Sequence, residues 1–284
     1  MAIFQNQATL SFNGIVTNSN IATGEILEAV SVTKTAIVDR YTSNDDITYV
    51  ISIVNSGATA VNNVVITDNL GVYLSNLGVA LVPLEYIDGS VHLYVNGVQQ
   101  APPTAVGGTQ LVISDISIPA NGNAVVVYSA RVNQFAPLDV DGTINNTAVV
   151  SATGITPIEA TETISTLEQA QLTINKSVNP TTVTENGQLT YTFVIQNSGN
   201  TATTVTDDLI ITDVFNPVLS GLNVTFNGAP WTEGVQYNYN PATGLFTTVA
   251  GQVTVPAATY TQNPDTNAWV INPGVSVLRV TGTV

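Results

Sequence analysis

One stretch of this chain occurs twice, and the second copy stops a strand short. VSVTKTAIVDRYTSNDDITYVISIVNSGATA, from Val30, runs alongside AQLTINKSVNPTTVTENGQLTYTFVIQNSGNTA, from Ala170. Lys34 matches Lys176, Tyr49 matches Tyr191, and Asn55-Ser56-Gly57 matches Asn197-Ser198-Gly199, all at one fixed spacing. After a short insertion, VVITDNL with Asp68 matches LIITDVF with Asp213, and YVNG at 94–97 matches TFNG at 225–228. NAVVVYSARV (123–132) then matches VSVLRVTGTV (275–284). The first copy continues into INNTAVVSATG (144–154), for which the second has no counterpart. A repeat of this kind is one structural unit used twice, so both copies must fold alike as far as they match.

The missing piece lies at the other end. In MAIFQNQATLSFNG, Asn6, Ala8, Leu10 and Phe12 alternate with Gln7, Thr9 and Ser11, as Asn146, Ala148 and Val150 alternate with Thr147, Val149 and Ser151. Period-2 alternation marks a half-buried strand. The segments after the two strands agree too, since GIVTNSNIATGEIL resembles GITPIEATETIS. The sequence therefore divides into an N-terminal donor strand (1–13), a linker (14–29), a first domain (30–152), a second linker (153–170) and a second domain (171–284) without its last strand. A sheet that lacks a strand exposes backbone groups that proteins normally cover. An extended segment can cover them by strand addition. Donated to a neighbour, this strand makes an open head-to-tail filament; folded back, it makes a monomer.

Composition fixes the class. Short alternating runs rich in Val, Ile and Thr, punctuated by Gly, Pro and Asn, predict an all-β protein. With 44% hydrophobic and 9% charged residues, the chain can bury a core. A net charge of −15 with five Lys plus Arg leaves too few cations for a nucleic-acid surface. No membrane span is expected, because no apolar run reaches about 20 residues. There are no cysteines, so disulfides and thiolate metal sites are excluded. No signal peptide is visible, since strand pattern begins at Ile3.

The order Lys in a first strand, TYxxxxxNSG, TD, then NxA in a last strand resembles the conserved repeat domain of bacterial surface proteins. That resemblance covers both copies. It implies two tandem immunoglobulin-like β-sandwiches, an extracellular place on a cell surface, a structural or adhesive role and no enzymatic activity; the missing signal peptide fits assembly inside a cell that later lyses, as on a spore surface.

The two lysines of the chain stand at equivalent positions. Lys34 shares a strand face with Val32, Ala36 and Val38; Lys176 shares one with Leu172, Ile174 and Val178. Asp68 aligns with Val64, Ile66 and Leu70, and Asp213 with Leu209, Ile211 and Phe215. Asn146 and Asn6 open the inward faces of the two last-strand copies. Charges on apolar faces are costly unless paired, and two explanations are open. One is a spontaneous isopeptide bond between a Lys amine and an Asn side chain, with loss of ammonia. Burial favours the neutral amine and the neutral acid that such a step needs. This resembles the Lys/Asn/acid arrangement of immunoglobulin-like domains in Gram-positive pilins and adhesins. Lys34, Asp68 and Asn146 would then bond inside the first domain, and Lys176 and Asp213 would bond to Asn6 of the next subunit. The other is an ion pair at the sandwich rim, with the Asn capping a strand end.

No other motif carries chemistry. The acidic pairs at 45–46 and 207–208 and DVDG at 139–142 fit no calcium-loop spacing. His92 has no second His or Cys to share a metal, and no cofactor or metal is expected. Trp231, Trp269, Tyr237 and Tyr239 are expected to pack at sandwich ends, with a sugar platform as the sharper reading. The stretch 229–268 reads as an insertion suited to contacts. The expected function is a self-associating fibre subunit. The alternative is a monomeric or array-type adhesin that binds a ligand through its second domain.

Overall fold

The computed structural model describes residues 2–26 and 29–284 and is built almost wholly of strands. The chain divides into two compact units. The first holds Met1–Asp39, Asn44–Asn133 and Asn145–Ile164, and the second Arg40–Ser43, Gln134–Ile144 and Ser165–Val284.

The N-terminal residues do not form a lone strand. β1 (Ala2–Asn6) and β2 (Thr9–Phe12) turn at Asn13-Gly14 into β3 (Ile15–Asn18) and β4 (Ala22–Ile26). Asn13 and Gly14 have φ of 49° and 81°, the left-handed pair that a two-residue hairpin turn requires. β2 pairs with β3 (Phe12 opposite Ile15) and β1 with β4 (Asn6 opposite Ala22). Ser19, whose N–H donates to the Ala8 carbonyl at 2.8 Å, marks the bulge between the two ladders. The expected linker 14–29 is thus largely the returning arm of a hairpin.

In the first unit β5 (Val30–Ala36), β6 (Asp46–Asn55), β7 (Val61–Asp68), β8 (His92–Val95), β9 (Val98–Gln99), β10 (Thr104–Val106), β11 (Leu111–Ile118), β12 (Gly122–Val132), β13 (Thr143–Ala152) and β14 (Ile155–Thr166) form two sheets. Their orders are β9-β8-β12-β6-β5 and β10-β11-β7-β13-β14. Alternation does the folding. Ile47, Tyr49, Ile51 and Ile53 of β6 are buried, as are Ala124, Val126, Tyr128 and Ala130 of β12, while the residues between them are less covered. Each buried Ile or Val among them contributes about 1.5–3 kcal/mol. The stretch 153–170, expected as a linker, holds β14. Its run of Thr and Glu shows one half-exposed face, which hides a strand from an apolar count.

The second unit repeats the first sheet in the same order. β15 (Leu172–Asn179), β16 (Gln188–Asn197), β17 (Thr212–Val214), β18 (Ser220–Phe226), β19 (Ala229–Trp231), β20 (Tyr237–Asn240), β21 (Leu245–Thr248), β22 (Thr259–Gln262), β23 (Trp269–Asn272) and β24 (Gly274–Thr283) are its strands. β15-β16-β24-β18-β19 reproduces β5-β6-β12-β8-β9. The opposite sheet is β17-β21-β20, the counterpart of β7-β11-β10, and among the described residues nothing stands where β13 and β14 stand in the first unit. The supposed insertion at 229–268 supplies β20, β21 and the buried Tyr237, Phe246, Val253 and Val255, so it is core rather than an appendage. β22 and β23 pair as a separate hairpin.

Candidate functional site

In the first unit β5, β7, β12 and β13 each send one polar side chain into the apolar interior. These are Lys34, Asp68, Tyr128 and Asn146, with exposures of 4%, 0%, 0% and 0%. Lys34 Nζ lies 2.6 Å from Asp68 Oδ2, with both side chains fully buried. The Tyr128 hydroxyl donates to the same Oδ2 at 2.7 Å, and Asn146 Nδ2 donates to the Tyr128 oxygen at 3.0 Å. A phenol has one proton, and here it goes to the carboxylate, so the amide must present its N–H to Tyr128. Asn146 Oδ1 is buried without a hydrogen-bond partner, an unpaired state that costs roughly 1–3 kcal/mol.

The turn after β7 holds the acid. Asp68 Oδ1 accepts from Leu70 N–H at 3.0 Å, which needs Leu70 in the left-handed region (φ 52°) although it is fully buried. Asn69 Oδ1 accepts from Gly71 N–H and from Thr147 N–H, both at 2.9 Å, and so fixes β13 beside Asn146. Lys34 lies 4.9 Å from the Tyr49 ring centre and 6.0 Å from that of Tyr128, two rings stacked 5.4 Å apart. Loss of solvation lowers the Lys34 pKa from 10.5 to about 8, although Asp68 and, further off, Glu162 pull the other way. Burial likewise raises the Tyr128 and Tyr49 hydroxyls above their ordinary value. The site therefore links an amine, a carboxyl, a phenol and an amide through a chain of buried hydrogen bonds, and gives the amine an accessible neutral form.

The second unit holds the same pair without its cover. Lys176 and Asp213 form an ion pair with no aligned hydrogen bond, and their side chains are 39% and 18% exposed. Lys176 lies over the rings of Tyr191, Phe193 and Phe215 at 4.5, 5.5 and 5.5 Å. β17 is an edge strand, paired only through Asp213 opposite Phe246 and its neighbours. In the first unit the matching edge of β7 is taken by β13, with Ala148 opposite Asp68 and Val150 opposite Ile66. Beside β17 and on β15, Ile210, Val214 and Ile174 are 54%, 58% and 53% exposed. Asn6, expected inward, is exposed on β1 and lies in the N-terminal hairpin. Leu10 and Phe12 are 65% and 70% exposed, and Ala8 is exposed beside them.

Tyr128 escaped the sequence reading. The two copies align it with Val280, each lying opposite the repeat's shared tyrosine, so the repeat hides it. Its signal was its parity with Ala124, Val126 and Ala130. The NSG motif proves structural. Asn55 Nδ2 donates to Thr59 and Pro119 carbonyls at 2.9 Å, and Asn197 does the same to Thr201 and Pro256 at 2.8 and 3.1 Å. The four aromatics do not make one platform: Tyr237 is buried against Phe246, Tyr239 donates to the Leu219 carbonyl, and Trp231 stacks on Phe226. His92 is exposed on β8. Among the described residues no group of three metal-ligating side chains converges, and no helix is long and apolar enough to cross a membrane.

An all-β chain of two like units, one closed over a buried lysine and one with a bare sheet edge among the described residues, is what fold and site define. No family model and no curated protein matches it, so the resemblance to the conserved repeat domain rests on the residues quoted for it. It is similar to the pilus backbone protein RrgB of Streptococcus pneumoniae, at 11% identity and a TM-score of 0.35 over 86% of this chain and 55% of that one. BcpA, the major pilin subunit of Bacillus cereus, gives 9% and 0.35 over 96% and 73%. The collagen-binding subdomain of the Enterococcus faecalis surface protein ACE gives 8% and 0.30 over 50% and 99%. This chain thus spans 55% of the length of the RrgB structure.

Proposed function

We propose that this chain is the subunit of an extracellular filament, joined head to tail by seating the N-terminal hairpin of one copy on the open β17 edge of the next. The observation that carries this is the contrast between the two units. The same sheet is completed by a hairpin in the first and lacks one in the second, and a spare hairpin of matching pattern precedes the first. Asn6, Ala8, Leu10 and Gly14 correspond to Asn146, Ala148, Val150 and Gly154. The first unit's register then sets Ala8 opposite Asp213 and Leu10 opposite Ile211. Seating would hide the exposed Leu10 and Phe12 and pair the bare edge of β17, both of which favour association.

A neighbour is favoured over the chain's own second unit because three residues separate β4 from β5. The four steps from Ile26 to Val30 span at most about 14 Å, which keeps the base of the hairpin near the start of β5. Two isopeptide bonds complete the proposal, Lys34 to Asn146 within each subunit and Lys176 to Asn6 of the next. The only chemistry of the chain is then on itself, at a cell or spore surface, with no enzymatic turnover. The likeness to pilins carries none of this reading.

Intact mass and a denaturing gel on material boiled in detergent test it. A ladder of multimers, short one ammonia per bond, is the expected result. A monomer short one ammonia keeps only the bond inside the first unit. A monomer at full mass removes both bonds, and microscopy of undenatured protein without filaments removes the assembly.

A further inference from the structure

The bond proposed inside the first unit needs a proton at one particular atom. Ammonia leaves only if Asn146 Nδ2 is protonated, and Asp68, which receives protons from Lys34, makes no hydrogen bond to that nitrogen; Tyr128 does. We propose, on the reading that Lys34 and Asn146 join, that Tyr128 is the catalytic residue that carries the proton from Asp68 to the leaving nitrogen. Three contacts in a chain lay out the route: Lys34 Nζ to Asp68 Oδ2 at 2.6 Å, Oδ2 to the Tyr128 hydroxyl at 2.7 Å, and that hydroxyl to Nδ2 at 3.0 Å.

The step balances. The Lys34 ammonium gives a proton to Asp68, and the neutral amine attacks Cγ of Asn146 to form the new C–N bond. Tyr128 passes its own proton to Nδ2 as it takes up the one on Asp68. The Cγ–Nδ2 bond breaks, ammonia leaves, and the nitrogen of the new amide loses its second proton to Asp68. Of the two protons that the ammonium sheds, one departs in ammonia and one remains on Asp68, now a neutral acid. Tyr128 ends as it began, and no oxidant, reductant or water is consumed.

The second unit supplies the internal comparison. Val280 occupies the position of Tyr128, and the rings around Lys176 are those of Tyr191, Phe193 and Phe215. The bond from Lys176 to a seated Asn6 therefore has no phenol at the place of the relay and forms more slowly. Each subunit closes internally first, and the link between subunits is locked afterwards.

Full-length chain made by cell-free synthesis, sampled into acid over time and weighed intact, reads the first bond. Tyr128→Phe keeps the ring stacked on Tyr49 and removes the hydroxyl. It should slow the loss of ammonia by about 100-fold or more, the usual scale of general acid catalysis. Tyr49→Phe keeps the ring beside Lys34 and removes the neighbouring hydroxyl; it should slow the loss far less, and a loss as slow as in Tyr128→Phe would overturn the assignment of the relay to Tyr128. Equal rates for wild type and Tyr128→Phe would overturn the relay while leaving the bond in place. A wild type that never loses ammonia would overturn the bond itself. Val280→Tyr tests the same idea by gain, independently of how well Tyr128→Phe folds. It should speed the growth of the detergent-resistant ladder, and an unchanged ladder would count against the relay.

Discussion

At the residue scale the question is what a fully buried lysine does to the unit that contains it. Lys34 is held at a pKa of about 8, against 10.5 for the free side chain, by loss of solvation; Asp68 and Glu162 oppose the shift, and the rings of Tyr49 and Tyr128 flank the amine. This lowered value sets two pH dependences of opposite sign. The reacting pair is the neutral amine with protonated Asp68, which holds the same number of protons as the resting ammonium–carboxylate pair, so bond formation should be level below about 8 and slow above it as Lys34 loses its proton to solvent. Mass spectrometry of quenched time points at several pH values checks this. In Asn146→Ala, which cannot form the bond, the lysine stays titratable. The unfolded chain binds the extra proton between about 8 and 10.5, so stability should rise with pH across that window by roughly 3 kcal/mol and be flat below it. Denaturant melts across that range measure it. A flat profile would mean that Lys34 reaches water in the folded state.

At the element scale the proposed donor is a hairpin, and its register makes a sharper test than its deletion. Ala148 is fully buried opposite Asp68, while Ala8, its counterpart, is exposed in the free subunit. Ala8→Phe should therefore leave the melting of the isolated subunit unchanged and yet block seating, since a benzyl group would have to enter a space sized for a methyl. Light scattering should show monomers where wild type polymerises. Exposed Thr9, on the opposite parity, should tolerate the same change. The strand pattern of Asn6 to Phe12 and the repeat itself were legible because alternation and self-similarity survive in a bare sequence. The returning arm was not. β14 and β3–β4 carry Thr, Asn and Glu on a solvent face, so their apolar count resembles that of a linker. Lys34, Asp68 and Asn146 were legible as inward-facing because each breaks an otherwise apolar parity. Their convergence came only from the resemblance to the Lys/Asn/acid arrangement, because parity does not say which strands pair across two sheets. Tyr128 fell out of view because comparing copies selects what they share, and it is what they do not share.

At the scale of the whole molecule, the proposed subunit, with one donor and one acceptor, has a direction, and removing one end should leave the other competent. A chain lacking residues 1–26 keeps the β17 edge and both units but has nothing to give. Alone it should be monomeric, with both units folded, because the hairpin's apolar side chains rest exposed in the free subunit and contribute little to its stability. Mixed with full-length protein, it should accept a hairpin and then end the filament, so that mean length falls as its fraction rises. A fold-back monomer predicts the reverse, since its hairpin would be covering its own β17 edge. Deletion would then lower the stability of the second unit, and the truncated chain would have no effect on a full-length protein that never polymerised. Negative-stain length distributions at several mixing ratios, read beside thermal melts of the truncated chain alone, separate the two. Because an end stopper acts at one terminus per filament, a small fraction suffices, and the effect should follow mole ratio rather than total protein. Where the Lys176–Asn6 bond has already formed, the stopper should act only on new growth, so adding it before or after assembly dates the covalent lock relative to seating.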